Sequence, residues 1–182
     1  TNTMIVITAD HGEEFRDHGA WGHSHTLHRE LIRVPLIIAP PGTAAARRVP
    51  TTVRSIDVAP TLLAYAGARI PPGMRGVDLL TNAAPRPAIS MLMRRSEEVS
   101  IEWDGWKLIA DFDRGRPRLF DLSKDPDEQR ELSRAEPERV ASMLAMLDRE
   151  LGVATRVERM DATAGQLDAS TRKQLEALGY ID

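Results

Sequence analysis

The histidines of this chain are confined to one short window, which holds all five of them: His11, His18, His23, His25 and His28. The window opens with Asp10-His11-Gly12, directly after the apolar run Met4–Thr8. A carboxylate next to an imidazole offers one oxygen and one nitrogen ligand to a divalent cation. Such a cation takes about four to eight ligands. Asp10 and His11 are therefore candidate metal ligands, and further ligands must come from elsewhere.

Histidines also have ordinary structural uses, and two of the five fit that interpretation better. A single histidine is more often a surface residue or a hydrogen-bonded core residue than a ligand. We therefore interpret His18 and His28 as structural. Glu13 or Glu14 could accept a hydrogen bond from the ring nitrogen of His11 that does not bind the ion.

The elements around the window predict how these residues are positioned. The run Met4–Thr8 is typical of a buried strand in a parallel sheet. In open α/β sheets, ligands collect just beyond the carboxyl ends of the strands, and Asp10 and His11 lie at such an end. A short helix is predicted over 26–33 and a second strand over 34–39.

A longer helix is predicted to begin at Ser55, a favourable N-cap residue, and to end near Gly67. Its core-facing side chains would be Ile56, Leu62, Leu63 and Ala66. Asp57 falls in the first turn, where a carboxylate is favoured by the helix dipole. We interpret Asp57 as a capping residue and not as a catalytic one.

The pattern changes after a proline- and glycine-rich loop at 69–87. Short strands are predicted at 88–93, 98–103, 106–112 and 118–121. Asp104-Gly105 is a strong two-residue hairpin signal between the second and third of these strands. We expect a small antiparallel sheet.

Two helices are predicted at the end of the chain. The first begins at Pro137, carries apolar residues at helical spacing and ends at Gly152. The second begins at Asp168 and ends at Gly179. These patterns predict two domains, 1–87 and 88–182.

The composition excludes some functions. The chain has 182 residues, of which 42% are hydrophobic and 28% charged, as in soluble globular proteins. A net charge of -3 gives no reason to expect a nucleic-acid binder, and the sequence shows no long basic stripe, so no nucleic-acid partner is expected. No apolar stretch is long enough to span a membrane. There is no cysteine, so disulfides and thiolate sites are excluded.

Several motifs, taken in order, resemble the C-terminal half of sulfatases of the alkaline phosphatase superfamily. The resemblance covers nearly the whole chain. The segments that carry it are Ile5–Glu14, His18-Gly19, Trp21-Gly22-His23, Leu31–Ile38, Ile56–Leu63, Trp106–Ile109, Leu119–Leu122, Asp125–Glu128 and Leu175–Tyr180.

The resemblance implies an α/β fold: the C-terminal part of an alkaline-phosphatase-like sheet domain, followed by a small antiparallel sheet packed by a C-terminal helix. It implies that Asp10 and His11 are the late pair of metal ligands. It also implies that His23 touches the transferred group or the leaving oxygen, with His25 as a competing candidate for this catalytic role.

The same resemblance implies cofactors. The metal would be calcium, although an imidazole ligand makes manganese or zinc more credible than an all-oxygen site would. The nucleophile would be a formylglycine made within a Cys/Ser-x-Pro-x-Arg motif, which occurs nowhere in this chain. The chain enters a strand almost at once, as a piece of a longer protein would. We therefore expect the N-terminal remainder of the same protein to be its partner.

These features predict a fragment of a metal-dependent sulfuric ester hydrolase that is inactive by itself. A small-molecule or saccharide sulfate ester would be the substrate. A phosphodiester or phosphonate monoester hydrolase using the same metal site is the nearest alternative. A noncatalytic interaction domain is the alternative from a different class, and the sequence upstream of Thr1 would separate it from an enzyme.

Overall fold

A computed structural model describes residues 2–42, 48–82, 84–93, 97–111 and 116–151. Residues Thr1–Leu147 form one compact unit, and Asp148–Asp182 form a second. The described part of the second unit, residues 148–151, is the end of the helix that begins at Pro137. The helix predicted from Asp168 to Gly179 lies outside the described residues, and the division into 1–87 and 88–182 stays a prediction.

The described residues before position 88 form short elements joined by long loops. In chain order they are β1 (Ile5–Thr8), β2 (Glu14–Phe15), β3 (Trp21–Gly22), α1 (Arg29–Ile32), β4 (Leu36–Ala39), a 3-10 turn (Ser55–Asp57) and α2 (Val58–Tyr65).

The strand before the histidine window differs from its prediction in partner and burial. β1 pairs antiparallel with β4, with Ile5 opposite Ala39 and Thr8 opposite Leu36. Its side chains Ile5 and Ile7 are 56% and 54% exposed. The prediction of a buried parallel strand was wrong for this pair, because the chain reverses direction between β1 and β4 and, in the described residues, no element covers these isoleucines.

The helix predicted from Ser55 begins as a 3-10 turn whose N-cap is Arg54. The Asp57 carboxylate accepts hydrogen bonds from the Arg54 backbone N–H at 3.0 Å and from the Val77 N–H at 2.9 Å, and the Arg54 guanidinium donates to it at 2.8 Å. Burial alone would raise the pKa of Asp57, but these donors hold it below its ordinary value. The interpretation of Asp57 as a capping residue is consistent with these contacts.

The second region is an antiparallel sheet with its strands in chain order: β5 (Ala88–Met93), β6 (Glu97–Trp103), β7 (Trp106–Asp111) and β8 (Arg118–Asp121). Asp104 and Gly105 join β6 to β7 with φ angles of 51° and 76°. Two positive φ angles are what a two-residue hairpin turn requires, and Asp-Gly supplies them at low cost. This turn signal is confirmed.

The core lies between this sheet, the long helix α3 (Pro137–Leu151) and the loop before α1. Met143 and Leu147 are the buried residues of α3. The Arg139 guanidinium lies 4.6 Å from the centre of the Trp106 ring, which places the start of α3 against β7. One buried cluster joins Leu27 of the loop to three residues of the sheet and its end: Ile109, Phe120 and Leu122. The sheet thus forms part of the surface on which the histidine window rests.

Candidate metal and catalytic site

The candidate site lies on the segment between β1 and α1, residues 9–28, which we call the histidine loop. Gly12 fixes the start of this loop against α1. Its N–H donates to the Leu31 carbonyl at 2.8 Å, and a Cβ at this position would lie 1.9 Å from the Glu30 carbonyl oxygen. Glycine is therefore required here for close packing of the backbone.

Asp10 and His11 converge at the start of the loop. Asp10 Oδ1 accepts a hydrogen bond from the His11 backbone N–H at 3.0 Å, and Asp10 Oδ2 lies 3.8 Å from His11 Nε2. His11 Nδ1 lies 2.8 Å from the Gly12 carbonyl, to which it donates. This bond fixes the proton on Nδ1, so Nε2 is the ring atom that can coordinate a cation. The predicted acceptors for this bond, Glu13 and Glu14, contact other histidines.

Glu13 holds His23 next to His11. His23 Nδ1 lies 3.3 Å and 3.4 Å from the two Glu13 oxygens, and the His11 and His23 rings stack with their centres 4.2 Å apart. One ligand atom from each of His11, Glu13 and His23 lies within 4.8 Å of the others. Sequence reasoning missed Glu13 as a member of this group. Its i, i+2 spacing from His11, which extended backbone places on one side, was the available signal.

His25 makes a separate contact and does not belong to that group. His25 Nε2 lies 2.6 Å from Oε2 of Glu14. The other Glu14 oxygen accepts hydrogen bonds from the backbone N–H groups of Ala20 and His18, at 2.6 Å and 3.0 Å. Burial alone would raise the pKa of Glu14, but these bonds hold it below its ordinary value. Glu14 therefore orders the β2–β3 hairpin and holds His25 to it.

The donor set suits a divalent cation. It combines imidazole nitrogens with carboxylate oxygens, a mixture that manganese and zinc accept and that calcium, which prefers oxygen alone, accepts less readily. The side chains are partly exposed, from 25% for His23 to 71% for Asp10. They can therefore be reached by an ion and by a substrate.

The sequence predicts a structural role for His18 and His28, in contrast to the candidate site residues. Their rings stack with centres 3.6 Å apart and an interplanar angle of 11°. His18 Nδ1 lies 2.7 Å from Glu30 Oε1, and His28 Nδ1 lies 2.7 Å from Glu128 Oε2. The His28 contact is buried and the His18 contact is partly buried, and both agree with a structural role.

In the described parts of the chain, no helix is both long enough and apolar enough to cross a membrane.

Comparisons with known proteins agree on one family. Residues 1–68, which include the whole histidine loop, match the sulfatase family model. The chain is 32% identical to arylsulfatase K of Mus musculus over 154 residues, which are 75% of this chain and 28% of that protein. It thus spans less than a third of the length of this curated relative.

Solved structures give the same fold. The structure of BT1596, a 2-O GAG sulfatase, superposes with a TM-score of 0.68 at 22% identity, over 81% of this chain and 36% of that one. A phosphonate monoester hydrolase from Silicibacter pomeroyi superposes with a TM-score of 0.63 at 27% identity, over 88% of this chain and 36% of that one. The α/β fold class expected from the sequence is confirmed. The family-model match and the similarity to arylsulfatase K show that the chain belongs to the sulfatase family.

Proposed function

We propose that this chain is part of a metal-dependent sulfuric ester hydrolase, to which it contributes two late metal ligands and a histidine that contacts the substrate. The observation that carries the proposal is that ligand atoms of His11, Glu13 and His23 lie within 4.8 Å of one another, with Asp10 Oδ2 3.8 Å from His11 Nε2. A carboxylate and an imidazole alone would be a weak signal. A second imidazole and a second carboxylate from later in the loop support the proposal of a site here.

In this proposal Asp10 and His11 hold the cation, with His11 Nε2 as the coordinating atom. When bound, the cation offsets the negative charge of the sulfate group and lowers the pKa of the nucleophile. Manganese or zinc fits these nitrogen-containing ligands, and calcium remains the ion implied by the family resemblance. A formylglycine nucleophile would come from outside these 182 residues, since they contain no Cys/Ser-x-Pro-x-Arg motif.

Glu13 orients His23. Because the Glu13 oxygens face His23 Nδ1, the ring keeps a proton on that atom and directs Nε2 away from the carboxylate. When the ring is also protonated on Nε2, that atom can donate its proton to the leaving oxygen or contact the transferred group, a role commonly worth about 10² to 10⁴ in rate. His25 is the weaker candidate for this role, because its Nε2 bonds to the buried Glu14.

The rest of the same protein is the proposed partner. Ile5, Ile7 and Ile37 expose more than half of their surface on the β1–β4 pair. Exposed apolar side chains grouped in this way are typical of a surface that another part of a protein covers. The 182 residues alone are expected to release no sulfate.

The test uses the complete protein with an aryl sulfate and an aryl phosphodiester as substrates. A sulfatase turns over the sulfate faster, and His23→Ala lowers its turnover by about 100-fold or more while His25→Ala has a smaller effect. Faster turnover of the phosphodiester or of a phosphonate monoester would support the alternative, which the likeness to the Silicibacter pomeroyi enzyme favours. No turnover of any of these esters would support a noncatalytic interaction domain.

A further inference from the structure

A buried group of charged side chains links the histidine loop to the C-terminal sheet, and Glu128 is at its centre. Glu128 Oε1 accepts a hydrogen bond from Lys107 Nζ at 2.7 Å. Glu128 Oε2 lies 2.7 Å from His28 Nδ1 and 3.3 Å from the Arg29 backbone nitrogen. The side chains of Glu128 and Lys107 are both 0% exposed.

The backbone of Glu128 is held in an uncommon conformation. Its φ angle is 54°, in the left-handed region that non-glycine residues rarely adopt. Such conformations persist where surrounding contacts over-determine them, and they cluster at functional sites. Here the backbone carbonyl of Glu128 also takes part, because His18 Nε2 lies 3.0 Å from it.

The contacts of His28 fix its protonation. Arg118 Nη1 donates to His28 Nε2 at 2.9 Å, so the ring proton lies on Nδ1 and is donated to Glu128. The other end of the Arg118 guanidinium donates to Glu98 Oε1 at 2.6 Å. His28 is therefore a neutral ring held between a cation of β8 and the carboxylate of Glu128.

The contacts of His18 require the opposite state. One ring nitrogen faces the Glu30 carboxylate at 2.7 Å and the other faces the Glu128 carbonyl, so both nitrogens donate only when the ring is protonated twice. Gln129 Nε2 also lies 3.3 Å from His18 Nε2, but the two hydrogens of this amide are already donated to the backbone carbonyls of Asp17 and Asp127. Burial alone would lower the pKa of His18, but the Glu128 carbonyl and the Glu30 carboxylate hold it above its ordinary value.

We propose that Glu128 is a positioning residue for the candidate site: it holds His18 and His28, and so fixes the loop from which His11, Glu13 and His23 project. The proposal rests on the proposed function, which assigns those three residues. The described contacts fasten the loop at several points, among them Gly12, Asp17, His18 and His28. The contact of His18 is with the backbone carbonyl of Glu128, and that of His28 is with its carboxylate, although Glu128 follows His28 by 100 positions.

A double variant separates positioning from stability. Glu128→Leu alone leaves the Lys107 ammonium buried without a partner, which would destabilise any fold. Lys107→Met combined with Glu128→Leu replaces the whole ion pair by apolar groups, a change that is often neutral or stabilising. It still removes the acceptors of His28 Nδ1 and of the Arg29 N–H. The matched control is Asp127→Asn, which changes the neighbouring exposed carboxylate.

The readout is the set of histidine side-chain NMR signals in the ¹⁵N-histidine-labelled chain, with and without Mn²⁺. Because all five histidines lie in the loop, every signal reports on it. In the wild type, His18 shows two ring protons and His28 one. In the double variant the His11 and His23 signals shift, and Mn²⁺ binds about 10- to 100-fold more weakly, the range seen when groups that orient metal ligands are lost. Asp127→Asn leaves both unchanged.

A folded double variant with wild-type His11 and His23 signals and wild-type Mn²⁺ affinity would overturn the proposal. If the double variant does not fold, His18→Gln, which keeps the Glu128–Lys107 pair, must still shift the His23 signal, and an unchanged signal would equally overturn it. If the wild-type chain alone binds no Mn²⁺, the affinities are compared in the complete protein, where absence of binding would refute the metal assignment, while the histidine shifts in the chain still test the positioning.

Discussion

Two groups of histidine and glutamate that meet at the histidine loop use the same residue types differently. In the first, His23 and Glu13 meet at 3.3 Å with both side chains partly exposed. In the second, His28 and Glu128 meet at 2.7 Å with almost no exposure. Both ring nitrogens of His28 are occupied by Glu128 and Arg118. Burial and saturation of the ring nitrogens therefore distinguish a structural histidine from one that can do chemistry, where residue type alone does not.

The largest effect that sharpens this comparison is expected from removing the negative charge of each glutamate. Glu128→Gln leaves the Lys107 ammonium buried beside a neutral amide, so the free energy of unfolding should fall by about 3 to 5 kcal/mol. Glu13→Gln breaks a partly exposed contact and should cost less than about 1 kcal/mol. Urea denaturation of both variants measures the difference. Equal losses would remove the distinction between the two groups.

The next effect concerns the contact between Gly12 and α1, which does not involve Glu128. A methyl group at Gly12 would overlap the Glu30 carbonyl oxygen, so Gly12→Ala must push the loop away from α1. Forced overpacking of this kind typically costs about 1 to 3 kcal/mol. Denaturation gives the cost, and a Mn²⁺ titration shows whether the ligands have moved. A variant as stable as the wild type would mean that the loop and α1 separate easily.

A smaller effect tests membership of the exposed group. His11→Ala should weaken Mn²⁺ binding by at least about tenfold, equivalent to about 1.4 kcal/mol, because a coordinating nitrogen is lost. His25→Ala is the control, since His25 bonds to Glu14 and lies outside the group. Calorimetric titration measures both affinities. If His25→Ala were the more damaging change, the ligand set would have to be redrawn around Glu14.

The smallest effect is a pH dependence from His18. Its pKa is raised in the fold, so its contribution to stability is fully present below the ordinary value of about 6.5 and is lost as the pH rises through the raised pKa. The contribution should be below about 1 kcal/mol, because the ring is not fully shielded from water. Comparing the unfolding free energy of the wild type and His18→Gln from pH 5 to 9 isolates it. A difference that grows with pH would contradict this sign.

Local signals in the sequence predicted local structure well. Asp104-Gly105 specifies its hairpin because two adjacent residues supply the two positive φ angles, and Pro137 marks the first residue of α3. The convergence of Asp10 and His11 was predictable for the same reason, since the two residues are adjacent in the chain. In each case the determining interactions span a few residues.

Long-range contacts were not predictable in this way. The antiparallel pairing of β1 with β4 depends on how a long connection reverses, which the apolar pattern of β1 does not encode. The link between Glu13 and His23 spans 10 positions, and the link between His28 and Glu128 spans 100. The segment Asp125–Glu128 contributes to the family resemblance, but its polar residues do not predict that Glu128 is buried, because its partner Lys107 comes from a distant strand.

Because His18 and His28 both contact Glu128, the histidine loop cannot be exchanged independently of the rest of the chain. An exchange of residues 9–28 for the matching segment of another sulfatase would replace both His18 and His28. The residues outside the segment would remain and would face the side chains of the new segment; these are Glu128, its partner Lys107, and Arg118. A working chimera would have to transplant the segment together with its distant acceptors. The residues that must be exchanged together are thus those in spatial contact, and they do not form one continuous segment of the sequence.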